Sequence, residues 1–343
     1  MIPTETGGLS GDASPPRVSV VTPVFNGAKY LHACVESVLA QSYSNWDYTI
    51  VDNCSTDGSL EIALTYAEKH QRIAVKANES FVGAVENHNR AFCAISPQAK
   101  YCKLLSADDW MYPECLEKLV EVAERHPAVG LVSSYSASAV GVRWSDLALD
   151  REVFPGREAV RSYLLGAVDS FWTPSKVLYR ASLVRSSETF FPGTAPSADL
   201  EAALECLRQS DLGFVHQILS FERIHEEATT ASVRKLNSQL LDRLRILLEV
   251  GPEFLTQDEL ERRLNEQLSA YYRELAVGVV NFRHDEFWRV HRQGLAALGY
   301  SLYDLRFVKA LAAKILDLAL NPKATTEKIV RRIKSRRQGG DLP

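Results

Sequence analysis

The chain has 343 residues, 46% hydrophobic and 24% charged, which suits a soluble globular protein of two domains, or one large domain with an appendage. Its net charge of −4 argues against general affinity for nucleic acid, and no stretch approaches the ~20 apolar residues that span a bilayer. The six cysteines (Cys34, Cys54, Cys93, Cys102, Cys115, Cys206) show no C-x-x-C spacing and read as free thiols in a reducing compartment, which points to the cytoplasm.

Residues 1–16 are polar, rich in Gly, Ser and Pro, and lack the apolar centre of a signal peptide; they read as a disordered leader. Arg17 to Pro23 is a β-rich run stopped by Pro23, and the Asn26-Gly27 turn leads into a helix over Ala28 to Gln41, with Leu31, Val35, Val38 and Leu39 at helical spacing. Trp46 to Val51 is a second strand ending at Asp52, and Asp57-Gly58-Ser59 opens a helix that runs through His70. Arg72 to Lys76 is a third strand, Val85 to Ile95 a helix, Tyr101 to Leu105 a fourth strand, Pro113 to His126 a helix, and Val129 to Ser134 another strand. This alternation predicts a mostly parallel sheet with helices on both faces.

From Trp144 to Arg180 the pattern is broken by Phe154-Pro155-Gly156 and Trp172-Thr173-Pro174, with a strand over Val177 to Arg180. Asp199 to Gln209 is a helix and Leu212 to Arg223 a strand pair. Beyond Ala231 the chain is all helical: Val233 to Val250, Gln257 to Val280, Phe287 to Leu298, Leu302 to Leu320 and Thr325 to Ser335. A domain boundary near Thr230 follows.

The most telling segment is Ser106-Ala107-Asp108-Asp109, at the end of the fourth strand. Ligands of open α/β sheets sit at such strand ends, and two adjacent carboxylates repel unless a cation lies with them. Oxygen ligands suit Mg²⁺ or Mn²⁺, ions that usually arrive with a diphosphate. Asp-Asp also occurs in plain turns and helix caps. Asp52 ends the second strand on the same edge, where a carboxylate can accept from a base N–H or a ribose hydroxyl. No G-x-G-x-x-G follows the first strand and no G-x-x-x-x-G-K-[ST] occurs anywhere, which disfavours dehydrogenase and P-loop readings.

Four motifs in order, Val18 to Asn26, Val51 to Ser59, Asn87-His88-Asn89-Arg90-Ala91, and Leu104 to Trp110 with Pro113, resemble the family-2 glycosyltransferases of the GT-A fold. The resemblance covers residues 17–135. It implies a GT-A domain over residues 17–230, with a nucleotide-binding half (17–135) and an acceptor half (136–230), before a helical region over 231–343. It also implies a nucleoside-diphosphate sugar donor, a divalent metal (Mn²⁺ or Mg²⁺) and inversion at the anomeric carbon. The acceptor would be a hydroxyl of a glycan, glycolipid or small molecule.

Carried over by position, Thr22, Pro23, Val24, Phe25 and Asn26 would line the nucleotide site, Pro23 to Phe25 flanking the base, with Asp52 on base or ribose. Asn89 and Arg90 match a motif near the nucleotide, or simply cap a loop. Asp108 would face ribose and metal, and Asp109 would ligate the metal. Asp199, in Ser197-Ala198-Asp199-Leu200-Glu201, takes the place of the general base, with Glu201 as fallback; a first-turn Asp is also favoured by the helix dipole alone. His225, in Phe221-Glu222-Arg223-Ile224-His225, would approach the metal or diphosphate, or be a plain surface His.

Three departures from the family pattern are Ser106 and Asn53 where Asp is frequent, and Ala198 where Glu is usual. Two rival readings are a sugar nucleotidyltransferase, which would carry a Gly-rich basic loop after the first strand, and a catalytically silent nucleotide-sugar-binding module. Trp144, Phe171, Trp172 and Tyr179 are either acceptor platforms or core. Phe307, Leu311, Ile315 and Leu318 form a helical stripe with Leu316 and Leu320 alongside. From Asn321 onward seven basic residues face two acidic ones, a net of +5; subtracting it from the whole-chain −4 leaves −9 on the rest. Such a tail suits peripheral contact with anionic lipid at the inner face of a membrane, or is a solvated terminus. The oligomeric state is not legible.

Overall fold

Ten strands form one sheet in the first of the two units into which the chain divides, Met1–Ala228 and Thr229–Pro343. The computed structural model describes residues 14–168, 171–193, 197–225, 233 and 235–321. In chain order the elements of the first unit are β1 (Val18–Val24), α1 (Ala28–Leu39), β2 (Trp46–Asp52), α2 (Ser59–Lys69), β3 (Ile73–Ala77), α3 (Ala84–Phe92), β4 (Tyr101–Leu104), β5 (Trp110–Met111), α4 (Cys115–Arg125) and β6 (Val129–Ser138). There follow β7 (Gly141–Arg143), β8 (Val153–Phe154), α5 (Gly156–Leu164), β9 (Leu178–Arg180), α6 (Ala181–Arg185), α7 (Ala198–Gln209) and β10 (Asp211–Phe221).

The sheet runs β3-β2-β1-β4-β9-β6-β10-β5, with β7 added to β6 and β8 to β10. Its first four strands are parallel, as the alternation of elements predicts. The other half is mixed: β9 lies antiparallel between β4 and β6, β5 and β8 are antiparallel to β10, and only β6 and β10 pair in parallel. The strands responsible, β5, β7, β8 and β9, are two or three residues long, too short to show a periodicity. The expected strand pair over Leu212 to Arg223 is one strand, whose register shifts along β6 break the alternation.

Pro23 does not stop β1, which continues to Val24 and pairs through to Asp52. In a parallel ladder alternate residues face alternate neighbours. Val21 O accepts from Leu105 N on the β4 side and Val24 O from Asn53 N on the β2 side. Pro23 therefore faces the β4 side, where the ladder has already ended at Val21 and Leu104, so its missing N–H leaves no bond unmade.

Every residue of β1 is buried, as expected for a strand covered on both faces. Leu31, Cys34, Val35 and Val38 of α1 and Leu116, Leu119 and Val120 of α4 join the same core. Each such side chain contributes about 1.5–3 kcal/mol on burial. A Cβ at Gly156 would sit 2.2 Å from Leu207 O, so the close approach of α5 to the end of α7 requires glycine there. At the N-terminal edge, Tyr43 Oη and Asn45 Nδ2 donate to the carbonyls of Pro16 and Pro15, so these two residues of the expected leader are fastened to the domain.

The second unit contains α8 (Gln239–Phe254), α9 (Gln257–Val280), α10 (Asp285–Ala297) and α11 (Leu305–Leu320) among the described residues. The bounds of α9 are those the sequence predicts, and a reciprocal cap fixes its start: Glu259 N donates to Thr256 Oγ1 and Thr256 N to Glu259 Oε2. α8 overruns Gly251-Pro252 by two residues. Tyr271, Tyr272, Leu275, Phe287 and Leu295 centre this unit's core. Within it, buried His291 donates from Nε2 to Leu236 O and accepts at Nδ1 from Tyr271 Oη. No described helix is long and apolar enough to cross a membrane. The predicted helix over Thr325 to Ser335 and leader residues 1–13 lie outside the described residues.

Candidate active site

The C-terminal ends of β1, β2 and β4 form one edge, and the chain leaving β1 is tied to the chain leaving β2. Asn26 adopts a left-handed backbone, φ 50°, which Asn tolerates. Its N–H donates to Ser55 Oγ at 3.0 Å, and its Oδ1 accepts from Thr56 N at 2.8 Å. Gly27 N donates to Ser59 Oγ and Ala28 N to Asp57 Oδ2, so α1 is capped from the neighbouring loop. Burial alone would raise the Asp57 carboxyl, but hydrogen bonds from Ser59 and the Ala28 N–H hold it below its usual range. The motif residues between Val51 and Ser59 therefore build the rim.

Asp52 ends β2 with 1% of its surface exposed. Its Oδ2 accepts from Ser55 N at 3.0 Å, while Oδ1 is buried with no hydrogen-bond partner among the described residues. An orphaned buried acceptor costs about 1–3 kcal/mol, which a ligand N–H or O–H would recover. Asn53 next to it turns its amide to the neighbouring loop. Its Nδ2 donates to Val82 O and its Oδ1 accepts from Val82 N and Asn78 Nδ2, which anchors the loop carrying Phe81. Phe81 and Phe25, 60% and 50% exposed, meet with ring centroids 4.8 Å apart. Two exposed rings at a sheet edge offer a stacking surface for a planar base.

The Asp108–Asp109 corner is assembled by long-range contacts. β5 pairs with the end of β10, Trp110 opposite Phe221, with the two rings stacked at 3.9 Å. That pairing brings residues 222–225 to the acids. Arg223 N donates to Asp109 Oδ1 at 2.8 Å and Arg223 Nε to Asp108 O at 3.1 Å. Its guanidinium lies between the rings of Tyr30 and Trp110, 4.4 and 5.0 Å from their centroids. His225 Nε2 stands 2.8 Å from Asp108 Oδ2, with 17% and 27% of the two side chains exposed, and Tyr30 packs on the imidazole at 4.9 Å.

Asp109 is enclosed instead, 7% exposed. Its Oδ2 accepts from Ser175 Oγ at 2.6 Å. Ser175 Oγ accepts in turn from Ser106 N, and Ser175 O from the fully buried Lys103 Nζ. Burial, then the charge of Asp108, push the Asp109 carboxyl well above the usual range, and the Ser175 and Arg223 donors pull the other way. Burial depresses Lys103. Behind them Glu222 accepts from Ser136 Oγ and Thr173 Oγ1 and pairs with Arg143 Nε at 3.4 Å. The corner thus presents the part-exposed Asp108 and His225, with Asp109 buried and hydrogen-bonded to Ser175 and Arg223.

The sequence pattern of Glycosyl transferase family 2 matches residues 19–186. That segment, 168 of the chain's 343 residues, is a family-2 glycosyltransferase segment. The chain is 36% identical over 124 residues to the putative teichuronic acid biosynthesis glycosyltransferase TuaG of Bacillus subtilis, a match covering 36% of this chain and 48% of TuaG. It is 25% identical over 274 residues to the putative glycosyltransferase EpsH of the same species, covering 77% and 74% of the two chains. The match spans about half the length of TuaG and 40% of the B. subtilis putative glycosyltransferase EpsE. Its fold is similar to that of S. aureus TarS 1-349, solved in complex with UDP-GlcNAc, at a TM-score of 0.65 and 18% identity over 95% of this chain and 93% of that one. It is also similar to the mannosyltransferase PcManGT of Pyrobaculum calidifontis, solved with GDP-Man and Mn²⁺, at a TM-score of 0.55 and 16% identity over 92% and 85%.

The other expected site residues fall in different settings. Thr22 is fully buried, and its hydroxyl accepts from Tyr48 Oη, so its side chain belongs to the core. Pro23 and Val24 are buried within β1, and Phe25 is the exposed member of that run. Asn89 exchanges two hydrogen bonds with the backbone of Phe191, and Arg90 pairs with Glu86 one helical turn back. Among the described residues no hydrogen bond joins either to Asp52, Asp108 or Asp109. Asp199 is half-buried in the first turn of α7, where its Oδ1 accepts from Leu200 N. Of the four aromatics, Phe171, Trp172 and Tyr179 are core, and Trp144 is 59% exposed against Tyr135.

Sequence reasoning missed Phe81, Ser175, Tyr30 and Arg223. Phe81 and Tyr30 carry no spacing signal. Ser175 lies in the irregular middle segment, but Arg223 is two residues from His225 in a motif already singled out.

Proposed function

We propose that the protein transfers a sugar from a nucleoside-diphosphate sugar to an acceptor hydroxyl, with inversion at the anomeric carbon and with a divalent cation. The observation that carries this reading is the pairing of Asp108 with His225 on the same sheet edge as the orphaned Oδ1 of Asp52. Phe25 and Phe81 stack the base, and Asp52 accepts from the base or ribose through Oδ1.

The donor set fits a hard cation. Among the described residues no three His, Cys, Asp or Glu converge on one point. One carboxylate and one imidazole nitrogen suit an ion that takes its remaining ligands from a diphosphate and water. Asp108 and His225 would hold Mn²⁺ or Mg²⁺, while Asp109 fixes the loop that carries Asp108. Bound there, the cation neutralises charge gathering on the departing nucleoside diphosphate.

Asp199 takes the proton of the acceptor hydroxyl as its oxygen bonds to the anomeric carbon and the bond to the diphosphate breaks. The acceptor class we infer is a glycan or glycolipid, supported by the description of TuaG as a putative teichuronic acid biosynthesis glycosyltransferase. The test is a screen of nucleoside-diphosphate sugars with Mn²⁺ by thermal shift, then transfer assays with the donor that binds. Asp199→Asn is expected to retain donor binding and lose transfer by about 10²–10⁴-fold. Parental transfer by that variant would remove Asp199 from the mechanism.

A further inference from the structure

The helix α11 carries apolar surface on two sides. On one side Phe307, Leu311 and Ala310 pack into the core of the second unit. On another side Leu305, Val308, Ile315, Leu316 and Leu320 are 66%, 56%, 56%, 58% and 70% exposed. At ~100° per residue these five, with Ala312 and Ala319, fall within an arc of roughly 140°. Lys309 is the one charged residue inside the arc. Lys314, paired with Asp317 at 2.7 Å, lies outside it. A helix on a water-facing surface normally turns polar residues outward. Five large apolar side chains aligned along one stripe form a patch rather than the scattered exposure of an ordinary surface.

The chemistry of what covers the stripe is indicated by the sequence that follows. Between Asn321 and Pro343 stand Lys323, Lys328, Arg331, Arg332, Lys334, Arg336 and Arg337, against Glu327 and Asp341. Ile329, Val330 and Ile333 are interspersed among them. An occupant that engages both must therefore offer apolar surface together with negative charge. An anionic bilayer does both: acyl chains accept the stripe, and headgroups attract the basic segment. Tyr303, 74% exposed just before the helix, adds an amphipathic ring suited to the headgroup level. A second copy meets only half of the requirement. It offers apolar surface, but it carries the same net positive segment and so supplies no complementary negative charge for it. A nucleic acid satisfies the charge but leaves the stripe in water.

We propose that the outer face of α11 and the basic segment after it dock the protein on an anionic lipid surface. This does not rest on the catalytic reading, since both elements lie in the second unit. The test is co-sedimentation of the full chain with vesicles of phosphatidylcholine alone and of phosphatidylcholine mixed with phosphatidylglycerol, at low and high salt. Binding to the mixed vesicles is expected to exceed binding to the neutral ones by ~10-fold or more and to weaken as salt screens the charges.

The double variant Ile315→Glu, Leu316→Glu changes two exposed positions. It is expected to keep its circular dichroism and elution volume while losing most vesicle binding. Should it misfold, Ile315→Ser with Leu316→Ser serves the same purpose. Arg331→Glu with Arg332→Glu is expected to weaken binding to the mixed vesicles only. Absence of vesicle binding at low salt would overturn the proposal. So would binding that the stripe variants leave intact, or a dimer that those variants convert to monomer in a protein that ignores vesicles.

Discussion

The two sides of the crevice are built from different lengths of chain. On the Asp52 side each tie is short: Asn26 to Thr56 spans 30 residues, Asn53 to Val82 spans 29, and Asp52 to Ser55 spans 3. At the Asp108 corner, Asp109 is held by Ser175 and Arg223, 66 and 114 residues away, and Asp108 meets His225 at a separation of 117. The first side is the product of neighbouring β-α units. The second exists only once β10 lies along β6 and meets β5, so it depends on the most distant pairings in the domain. The difference teaches that a motif can carry one half of a site and only point to the other. Substitutions can break or sharpen this contrast.

The largest effects belong to the corner. Asp108→Ala and His225→Ala are each expected to lower sugar transfer by about 10²-fold or more, because the charge on the leaving diphosphate loses its counter-ion. The dependence of rate on Mn²⁺ concentration checks this, and both variants should need more Mn²⁺. A parental Mn²⁺ curve for Asp108→Ala would move the diphosphate elsewhere.

Next comes the brace. Ser175→Ala removes the donor to Asp109 Oδ2 and leaves that buried oxygen unpaired, at a cost of about 1–3 kcal/mol in urea unfolding. Asp109→Asn sharpens the distinction between brace and ligand. As a brace, Asp109 loses stability in this variant with little change in Mn²⁺ requirement; as a ligand, it shifts the requirement at least as far as Asp108→Ala does.

The same contrast explains what could be read from the sequence. The parallel half of the sheet and the rim residues Asp52 to Ser59 were legible because strong periodicity and turn residues sit side by side there. The antiparallel β9 and the two-residue strands β5 and β8 were not, since three residues or fewer carry no alternation. Asp108 and His225 were both named, but not their direct pairing, because nothing in either motif encodes the β5–β10 contact that joins them. Asn89 carried two readings, a contact near the nucleotide or a cap on a loop, and its hydrogen bonds to the backbone of Phe191, 102 residues away, could not be read from the motif. The exposed stripe of α11 was half seen, as a row of apolar residues whose partner periodicity cannot identify.

On the Asp52 side Phe81→Ala is expected to raise the KM for the donor by about five- to tenfold with kcat little changed, since base stacking contributes about 1–3 kcal/mol and is made equally in ground and transition states. Steady-state kinetics at saturating acceptor measures it. A fall in kcat instead would mean that the aromatic pair also places the anomeric carbon.

The smallest effect asked of either side is Asn53→Asp, and it tests their independence. A carboxylate at position 53 still accepts from Val82 N and Asn78 Nδ2, but it cannot donate to Val82 O, 2.8 Å from the present amide nitrogen. Two oxygens then face each other at hydrogen-bond distance, next to the buried carboxylate of Asp52. We expect about 1 kcal/mol of lost stability, together with a modest rise in donor KM, because the loop that carries Phe81 is no longer anchored. The Mn²⁺ requirement should stay where it is, since among the described residues no hydrogen bond of Asn53 reaches Asp108, Asp109 or His225. If that requirement moves as far as KM does, the two sides are coupled through the strand ends, and the short-range and long-range halves of the crevice act as a single site.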